Sequence, residues 1–496
     1  MNSDKLVAKD DMSQLTEPMP TPSDGLIVVA KRDCPTCTML EPVYAQLAAD
    51  NGGLTIYTQD DPSFPESVPA VDDRELEVSY RLDIETVPTL IRIQDGEEKG
   101  RAIGWNRGEW ENLSGRGGLG NGLPENQPGC GSKSVDPGMP EILAVRFGDA
   151  SLNARQIEVG AVDDEIEACY DRGWSDGLPV VPPTPVRVLR MLQGTTRDPQ
   201  EIIGEIPPNL VPCTVEKVAI NAVMAGCKPE YLPVVLAAVE AALDPAFSMH
   251  GVLCTTHFVG PIVVVNGPIA QRIGMNCGVN ALGQGNRANS TIGRALQLVI
   301  RNVGGGRPGE IDRATIGNPG KVGLCFAEDE SKTIWKPFAE ERGIAPDKSA
   351  VTLYAGEGQM GNFDQLSREP ESLTRSLAMS IKAIGHPKRA PGHDVLVVMG
   401  HEHFRVYDRA GWTRERTMQE FEEVLTMPAD DLLRGVGGVA EGLPASMAGK
   451  TVNKVRPGGL NIVRAGGEAG LMSALIGGWA ASGERGSDLV TKEIGT

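Results

Sequence analysis

The sequence predicts an α/β fold in two parts, a small N-terminal domain and a larger C-terminal domain with a mostly parallel sheet. Short apolar runs such as GPIVVVNG and HDVLVVMG alternate with helix-like segments such as TIGRALQLVIRNV. Continuous apolar runs of this length are typical of strands that helices cover on both faces. The chain has 496 residues, which is too long for a single small core and fits two or three domains.

A segment with few large apolar side chains separates the two parts. Residues 114–140 are rich in Gly, Pro, Ser and Asn, a composition that is typical of an interdomain linker. We therefore expect a flexible tail at 1–23, a first domain at 24–117, a linker at 118–140 and the larger domain at 141–496. Within the larger domain, the apolar run ILAVRF at 142–147 is the first expected strand.

The charge balance disfavours two classes of partner. The net charge is −19, from 47 basic and 66 acidic residues, whereas nucleic acids and anionic membranes select basic surfaces. No apolar stretch approaches the length of a membrane-spanning helix, and the first residues lack the apolar run of a secretory signal. We expect a cytoplasmic protein with no nucleic-acid or membrane partner, and a homo-oligomer stays compatible with the sequence.

The cysteine pattern indicates one redox-active pair among reduced thiols. Nine cysteines are scattered along the chain, and only Cys34 and Cys37 form a close motif. The apolar strand LIVVAKR runs directly into this motif, and the helical segment TMLEPVYAQLAAD follows it. A thiol at the start of a helix is favoured as the thiolate, here at Cys34, while Cys37 lies one turn along. Lys31 and Arg32 would favour that thiolate, and Asp33 would oppose it.

A second motif gives the N-terminal segment a family resemblance. The sequence TVPTLIRIQDGEEKG follows about fifty residues after the cysteines and contains Pro88. In this order of motifs, residues 24–117 resemble the thioredoxin family, in which a Val/Ile-Pro-Thr step with a cis proline faces a CxxC pair. The resemblance implies a thioredoxin-like fold, with Cys34 as the attacking thiol, Cys37 as the resolving thiol and Pro88 as the cis proline that bounds the substrate groove.

The same resemblance implies the activity of the N-terminal domain. It implies a thiol–disulfide oxidoreductase whose partners are a disulfide or thiol substrate and a cellular thiol reductant. The motif departs from thioredoxin itself in its Pro-Thr dipeptide and in Asp33, where an aromatic residue is usual. A zinc half-site and an inert buried pair remain alternative interpretations of Cys34 and Cys37. The C-terminal domain resembles only uncharacterised bacterial proteins found with thioredoxin domains, and no activity follows from that.

Two groups of side chains in the larger domain have the chemistry of metal ligands. His401 and His403 follow an apolar strand, and ligands commonly bind beyond strand ends in α/β sheets. In extended backbone these two histidines would point to the same side. His250 and Cys254 would likewise share one face of a strand. A transition metal (zinc, iron or copper) is therefore a candidate cofactor, with hydrogen-bonded structural histidines as the alternative.

Four further residues are candidates for a second site. Cys277 and Arg287 flank a Gly- and Asn-rich loop that leads into a helix, and Arg464 ends a strand before a glycine turn. Both arrangements can present backbone N–H groups and a guanidinium to an anion. Cys213 stands near a helix start, where a lowered thiol pKa is expected. The alternatives are ordinary loops and small buried cysteines.

Together these features predict a two-part oxidoreductase. The first domain would exchange thiols and disulfides, and the chain's own C-terminal domain, held at millimolar effective concentration by the linker, would receive its electrons. One alternative is a metal-dependent lyase or hydrolase centred on His401 and His403. Another is a disulfide reductase that a non-catalytic binding domain directs to its clients.

Overall fold

The structure is a computed structural model that describes residues 24–49, 53–148, 152–157, 159–160, 164–331, 333–390, 393–479 and 486–495. The predicted tail at 1–23 lies outside the described residues. The chain divides into two compact units, Met1–Ser151 and Leu152–Thr496. Helices and strands alternate in both, so the expected α/β class is confirmed.

The first unit is built on one mixed sheet. Its strands are β1 Gly25–Ala30, β2 Leu54–Thr58, β3 Ala70–Asp72, β4 Thr86–Val87, β5 Thr89–Gln94, β6 Glu97–Ile103, β7 Trp105–Asn106, β8 Asn126–Gln127 and β9 Cys130–Gly131. Its helices are α1 Pro35–Met39, α2 Glu41–Ala48, α3 Glu77–Arg81, α4 Arg107–Ser114 and α5 Met139–Phe147. Five strands form the sheet in the order β3-β2-β1-β5-β6.

Strand β1 is the centre of this sheet. It runs parallel to β2 and antiparallel to β5, and its apolar side chains are buried along its length. Helices α2 and α4 contribute Tyr44 and Trp110 to the same core, and both side chains are fully buried. The burial of β1 explains its uninterrupted apolar sequence, and its carboxyl end leads directly to Cys34.

The segment expected to be a linker packs within the first unit instead. Strand β8 pairs with β7, and strand β9 pairs with β4. The carboxylate of Glu111 accepts hydrogen bonds from the backbone N–H groups of Gly118 and Leu119. Backbone and polar side-chain bonds therefore hold this segment in place. It carries few large apolar side chains, so the hydrophobic pattern gave no sign of this packing.

The run ILAVRF is helical rather than extended. It forms most of α5, which begins after Gly138 with a proline in its first turn. Proline is well accommodated there because its missing N–H would have no helical partner. Leu143 is the buried residue of α5, and the ring of Phe147 packs against Tyr80 at 6.5 Å between centroids. Burial on one face suits a helix, which the short apolar run alone did not distinguish from a strand.

The second unit contains the remaining elements. Its strands are β10 Ile202–Ile206, β11 Val211–Thr214, β12 Gly260–Asn266, β13 Leu324–Ala327, β14 Ala350–Phe363, β15 His393–Met399, β16 Thr426–Pro428, β17 Thr451–Asn453, β18 Val455–Arg464, β19 Met472–Gly478 and β20 Val490–Glu493. Its helices are α6 Glu165–Asp171, α7 Pro185–Leu192, α8 Val215–Ala225, α9 Leu232–Leu243, α10 Met249–Cys254, α11 Pro268–Arg272, α12 Arg287–Asn302, α13 Phe338–Glu341, α14 Pro370–Ala383, α15 His401–Arg409 and α16 Arg414–Leu425.

The large sheet of the second unit is mixed, which corrects the expectation of a mostly parallel sheet. Its strand order is β13-β12-β14-β19-β15-β18, with β20 also pairing with β14. Strand β12 runs parallel to β13, and β15 runs parallel to β18, whereas the other pairs are antiparallel. Burial on both faces produces continuous apolar runs whatever the strand direction, so the runs did not determine the direction.

The long strand β14 joins two halves of this sheet. Its first half pairs with β12 and β20, and its second half pairs with β19 after an irregularity between Gly356 and Gln359. Side chains of β12 (Ile262 and Val264) share a core with Leu396 of β15. The alternate residues of β12 face helices α8, α9 and α12, and those of β15 face α14, α15 and α16. The halves therefore stack as two sheet layers between two helical layers.

The apolar segments of the second unit otherwise formed the expected elements. The helix-like runs became α8, α9, α12, α14 and α16, and the strand-like runs became β12, β13, β14, β15 and β18. Within the described ranges, no single helix has the length and composition of a membrane span. One bent pair of helices, Pro229–Leu243 and Pro245–Cys254, meets that test by length and composition only.

Candidate redox site

The turn between β1 and α1 fixes the position of Cys34. The backbone N–H groups of Arg32 and Asp33 donate to the carboxylate of Asp60 at 2.8 and 2.9 Å. Cys34 then caps the start of α1, and its Sγ accepts a hydrogen bond from the Cys37 backbone N–H at 3.4 Å. The sulfur is therefore held by the same turn that the sequence motif predicted.

Cys34 is set up as a thiolate. Its pKa is lowered to about 5, chiefly because the Cys37 thiol donates a hydrogen bond to it. Hydrogen bonding from the Cys130 thiol and from the backbone N–H groups of Cys37 and Thr36 lowers the pKa of Cys34 further, while burial opposes the shift. A thiolate is the nucleophilic form of cysteine. At neutral pH, Cys34 is accordingly the charged member of the pair.

Cys37 is set up as the protonated partner. Its side chain is fully buried, and burial is the largest cause of its raised pKa, with the neighbouring Cys34 sulfur adding to it. One thiolate and one thiol within hydrogen-bonding contact can share a proton and can close to a disulfide. The pair therefore carries the two electrons that thiol–disulfide exchange needs.

Pro88 lies where the sequence expected it. The Val87–Pro88 peptide bond is cis, and Cys34 Sγ is 3.6 Å from the carbonyl oxygen of Val87. Pro88 lies between the end of β4 and the start of β5, so these two strands fix its position. The structure thus brings together all three residues predicted for the redox site: Cys34, Cys37 and Pro88.

Residues 128–132, here called the cap segment, cover the thiols. Thr36 Oγ1 donates to the carbonyl oxygen of Pro128 at 2.7 Å, and Lys31 Nζ donates to that of Gly131 at 2.9 Å. Between them, Cys130 lies directly opposite Val87 in the β4–β9 pair. The side chain of Cys34 is fully covered, at 0% exposure. Sequence reasoning placed Cys130 in a linker and missed it, because no local pattern joins it to the CxxC motif.

The basic residues before the motif act elsewhere. Arg32 forms an ion pair with Asp61, with Nε 2.6 Å from the carboxylate, and its guanidinium also lies over the Phe64 ring. The charge of Lys31 lowers the pKa of Cys130, although burial raises that pKa overall. Hydrogen bonds from neighbouring thiols and N–H groups, rather than the Lys31 and Arg32 charges expected from the sequence, are therefore the main stabilisers of the Cys34 thiolate.

The second unit does not activate Cys213, contrary to expectation. Cys213 is fully buried in β11, and burial raises its pKa to about 12 instead of lowering it. Cys277 is half-buried, and burial and the nearby Asp329 raise its pKa. Arg287 begins α12 and donates from Nε to the carbonyl oxygen of Gly226 at 2.9 Å. These three residues do not share a site with one another.

His401 and His403 point to different parts of the unit. Both lie in the first turn of helix α15, not in extended backbone, and residues two apart on a helix face nearly opposite sides. His401 Nε2 is 2.8 Å from the carboxylate of Asp329. His403 is fully buried, where its ring nitrogens contact Ser473 Oγ at 2.8 Å and the carbonyl oxygen of Asp364 at 3.1 Å. They cannot jointly bind one metal ion in this arrangement.

His250 and Cys254 also differ from their expected geometry. They lie on helix α10, not on a strand, and both side chains are exposed. Nearby, His257 Nε2 lies 3.2 Å from the carboxylate of Glu357. In the parts of the chain that the structure describes, no three His, Cys, Asp or Glu side chains gather as a metal site.

Asp329 does bring two of the predicted residues together. Its carboxylate contacts His401 at 2.8 Å and Arg464 at 3.0 Å. Arg464 also stacks over the Phe404 ring, 5.1 Å from its centroid. Cys277 lies close enough for Asp329 to raise its pKa. Sequence reasoning found His401, Arg464 and Cys277 separately but missed Asp329, which follows β13 and joins them.

The second unit also contains a mostly apolar, half-open pocket of about 380 Å³. Trp174, Val188 and Met224 line it, together with the polar side chain of Asn302. Its volume is in the range of small-molecule pockets.

No protein-family model, curated protein or solved structure gives a significant match to this chain.

Proposed function

We propose that the first unit is a thiol–disulfide oxidoreductase that works through Cys34 and Cys37. The observation that carries this proposal is the arrangement of the two thiols, in which Cys34 Sγ caps helix α1, accepts from the Cys37 N–H at 3.4 Å and lies beside the cis Val87–Pro88 bond. Cys34 has its pKa lowered to about 5, and Cys37, which donates to it, has a raised pKa. A structural cysteine pair has no need of a thiolate, whereas a redox pair requires one as its nucleophile.

A thioredoxin-like fold is part of the same proposal. The sheet order β3-β2-β1-β5-β6, with β1 leading to the CxxC turn, supports it. The cis Val87–Pro88 bond beside Cys34 supports it as well. These features follow the order of motifs from which the family resemblance came.

The proposed reaction is two successive exchanges. The Cys34 thiolate attacks one sulfur of a client disulfide, so the client S–S bond breaks, and one client thiolate leaves and takes a proton from water. Cys37 then loses its proton and attacks Cys34 Sγ, which releases the second client sulfur as a thiol. The client gains two electrons, and the protein is left with a Cys34–Cys37 disulfide that a cellular thiol reductant reopens.

A disulfide-reduction assay tests this proposal. Insulin is reduced by dithiothreitol with catalytic amounts of the full chain, of Cys34→Ser and of Cys254→Ser. Cys254 is an exposed cysteine of the second unit, so its variant controls for the loss of one thiol. We expect acceleration by the full chain and by Cys254→Ser, and only the background rate with Cys34→Ser. Undiminished acceleration by Cys34→Ser would rule out the proposed nucleophile.

We further propose that an oxidised cysteine of the second unit, as a sulfenic acid or a disulfide, receives the electrons of the first. Of its cysteines, Cys169, Cys213, Cys227 and Cys325 are buried, whereas Cys254 is exposed and Cys277 is half-buried. Cys277 is the better acceptor because it adjoins the polar cluster of Asp329, His401 and Arg464. If Cys277 is oxidised, its re-reduction should be slower in Cys34→Ser than in the full chain. Equal rates of re-reduction would contradict this electron transfer.

A further inference from the structure

A third thiol adjoins the CxxC pair. The Cys130 thiol lies near enough to Cys34 to help lower the pKa of Cys34. Cys130 also packs against the hydrophobic core that contains Cys34, Cys37 and Val87. Cys37 and Cys130 therefore both lie beside the cysteine to which a client would become attached.

The strand pairing explains why Cys130 faces the pair. Residues directly opposite each other in an antiparallel pair place their side chains on the same face. Cys130 is opposite Val87, whose side chain is fully buried and whose carbonyl oxygen is 3.6 Å from Cys34 Sγ. The register of β9 against β4 thus directs the Cys130 side chain towards Cys34.

The cap segment holds this register from several sides. Thr36, from within the CxxC motif, bonds to Pro128 at 2.7 Å, and the Ser132 backbone N–H donates to the carbonyl oxygen of Glu85 at 2.9 Å. At Gly129 the cap segment lies so close to β4 that an added Cβ atom would stand 2.6 Å from the Val87 carbonyl oxygen. Cys130 is therefore positioned by neighbours on both sides of it.

The three thiols differ in their access to solvent. Cys34 and Cys37 are both 0% exposed, whereas Cys130 is half-buried. We propose that Cys130 is a second resolving thiol. It competes with Cys37 to attack the mixed disulfide between Cys34 and a client and so to release the client. This inference rests on the proposed function, because it requires Cys34 to form a mixed disulfide.

The proposed step balances without another reactant. Cys130 gives its proton to water, and its thiolate attacks Cys34 Sγ of the mixed disulfide. The bond between Cys34 and the client sulfur breaks, the client leaves as a thiolate that takes up a proton, and a Cys34–Cys130 disulfide forms. The client is reduced by two electrons, as it is when Cys37 resolves the intermediate, and Cys37 stays a thiol.

Glutathione disulfide is the probe that tests this step. The reduced full-length variants Cys37→Ser, Cys37→Ser/Cys130→Ser and Cys37→Ser/Cys254→Ser are mixed with it, quenched in acid and mapped by peptide mass spectrometry. We expect a Cys34–Cys130 disulfide in the first and third variants. In the second, glutathione should remain on Cys34 for about tenfold longer or more, because an intramolecular thiol acts at millimolar effective concentration. Cys130→Ala is run beside Cys130→Ser, with circular dichroism as the folding control.

The outcomes separate this inference from the function on which it rests. If Cys37→Ser keeps glutathione on Cys34 as long as the variants lacking Cys130, then Cys130 does not resolve the intermediate, although Cys34 is still a redox nucleophile. If Cys34 gains no glutathione and no disulfide in any variant, the proposed function fails and this inference fails with it.

Discussion

Removing the thiol of Cys37 should raise the pKa of Cys34. The largest cause of its lowered value, about 5, is the hydrogen bond from Cys37. A hydrogen bond to a charged group contributes about 1.5–3 kcal/mol, which corresponds to about one to two pKa units. In Cys37→Ala we therefore expect the Cys34 pKa to rise to about 6–7, because the backbone N–H groups and Cys130 still stabilise the thiolate.

The ultraviolet absorbance of the thiolate measures this change without a reagent that must enter the site. Titration curves of reduced Cys37→Ala and of the reduced full chain are each corrected with the matching Cys34→Ser variant. Cys37→Ser is the matched control, since its hydroxyl still donates a hydrogen bond and should raise the pKa less than alanine does. An unchanged or lower Cys34 pKa in Cys37→Ala would show that the Cys37 thiol does not stabilise the Cys34 thiolate.

Three further predictions follow from the same geometry. Gly129→Ala should speed the alkylation of Cys34 by iodoacetamide, because the new Cβ would meet the Val87 carbonyl oxygen at 2.6 Å and displace the cap segment. Gly131→Ala has open space around its Cβ and should leave that rate unchanged; equal rates in the two variants would contradict the prediction. The pKa of Cys34 is lower in the folded protein than the 9.0 of an ordinary thiol, so its thiolate stabilises the reduced fold above about pH 9 and this stabilisation is lost as the pH falls to about 5. Urea unfolding should therefore show a difference between the reduced full chain and Cys34→Ser that shrinks over this range, and a constant difference would count against a lowered pKa. Asp329→Asn should destabilise the second unit by about 3–5 kcal/mol in urea unfolding, since it removes the charge that pairs with the buried Arg464 and also contacts the partly buried His401; a loss below about 1 kcal/mol would show that the cluster is weakly coupled.

The parts of the redox site that the sequence predicted are those formed by short local patterns. A strand that runs into a CxxC turn places Cys34 at a helix start, and the Val-Pro-Thr step places Pro88 at a strand start. Each position depends on neighbours within a few residues, so its geometry is readable from the sequence. The pairing of Cys130 with Val87 joins residues more than forty positions apart through backbone hydrogen bonds. No pattern of side chains in the sequence predicts such a pairing.

The errors in the larger unit have a common physical origin. The apolar runs correctly indicated buried strands, but burial does not report whether a neighbouring strand is parallel or antiparallel. His401 and His403 were expected in extended backbone, and their divergence follows from the helix that begins at His401. Cys213 precedes a helix as expected, yet its complete burial raises its pKa, because desolvation outweighs any effect of the helix start.

An equilibrium redox titration of the full chain in glutathione buffers tests the redox role of Cys34 and Cys37 most directly. Acid-quenched samples are alkylated, and the Cys34 and Cys37 peptides are quantified by mass spectrometry. We expect Cys34 to become oxidised reversibly in a single two-electron transition, with a slope of about 30 mV per decade, and then to be linked to Cys37 or Cys130. If Cys34 and Cys37 stay fully reduced at every buffer ratio, the pair is structural and the proposed function is wrong.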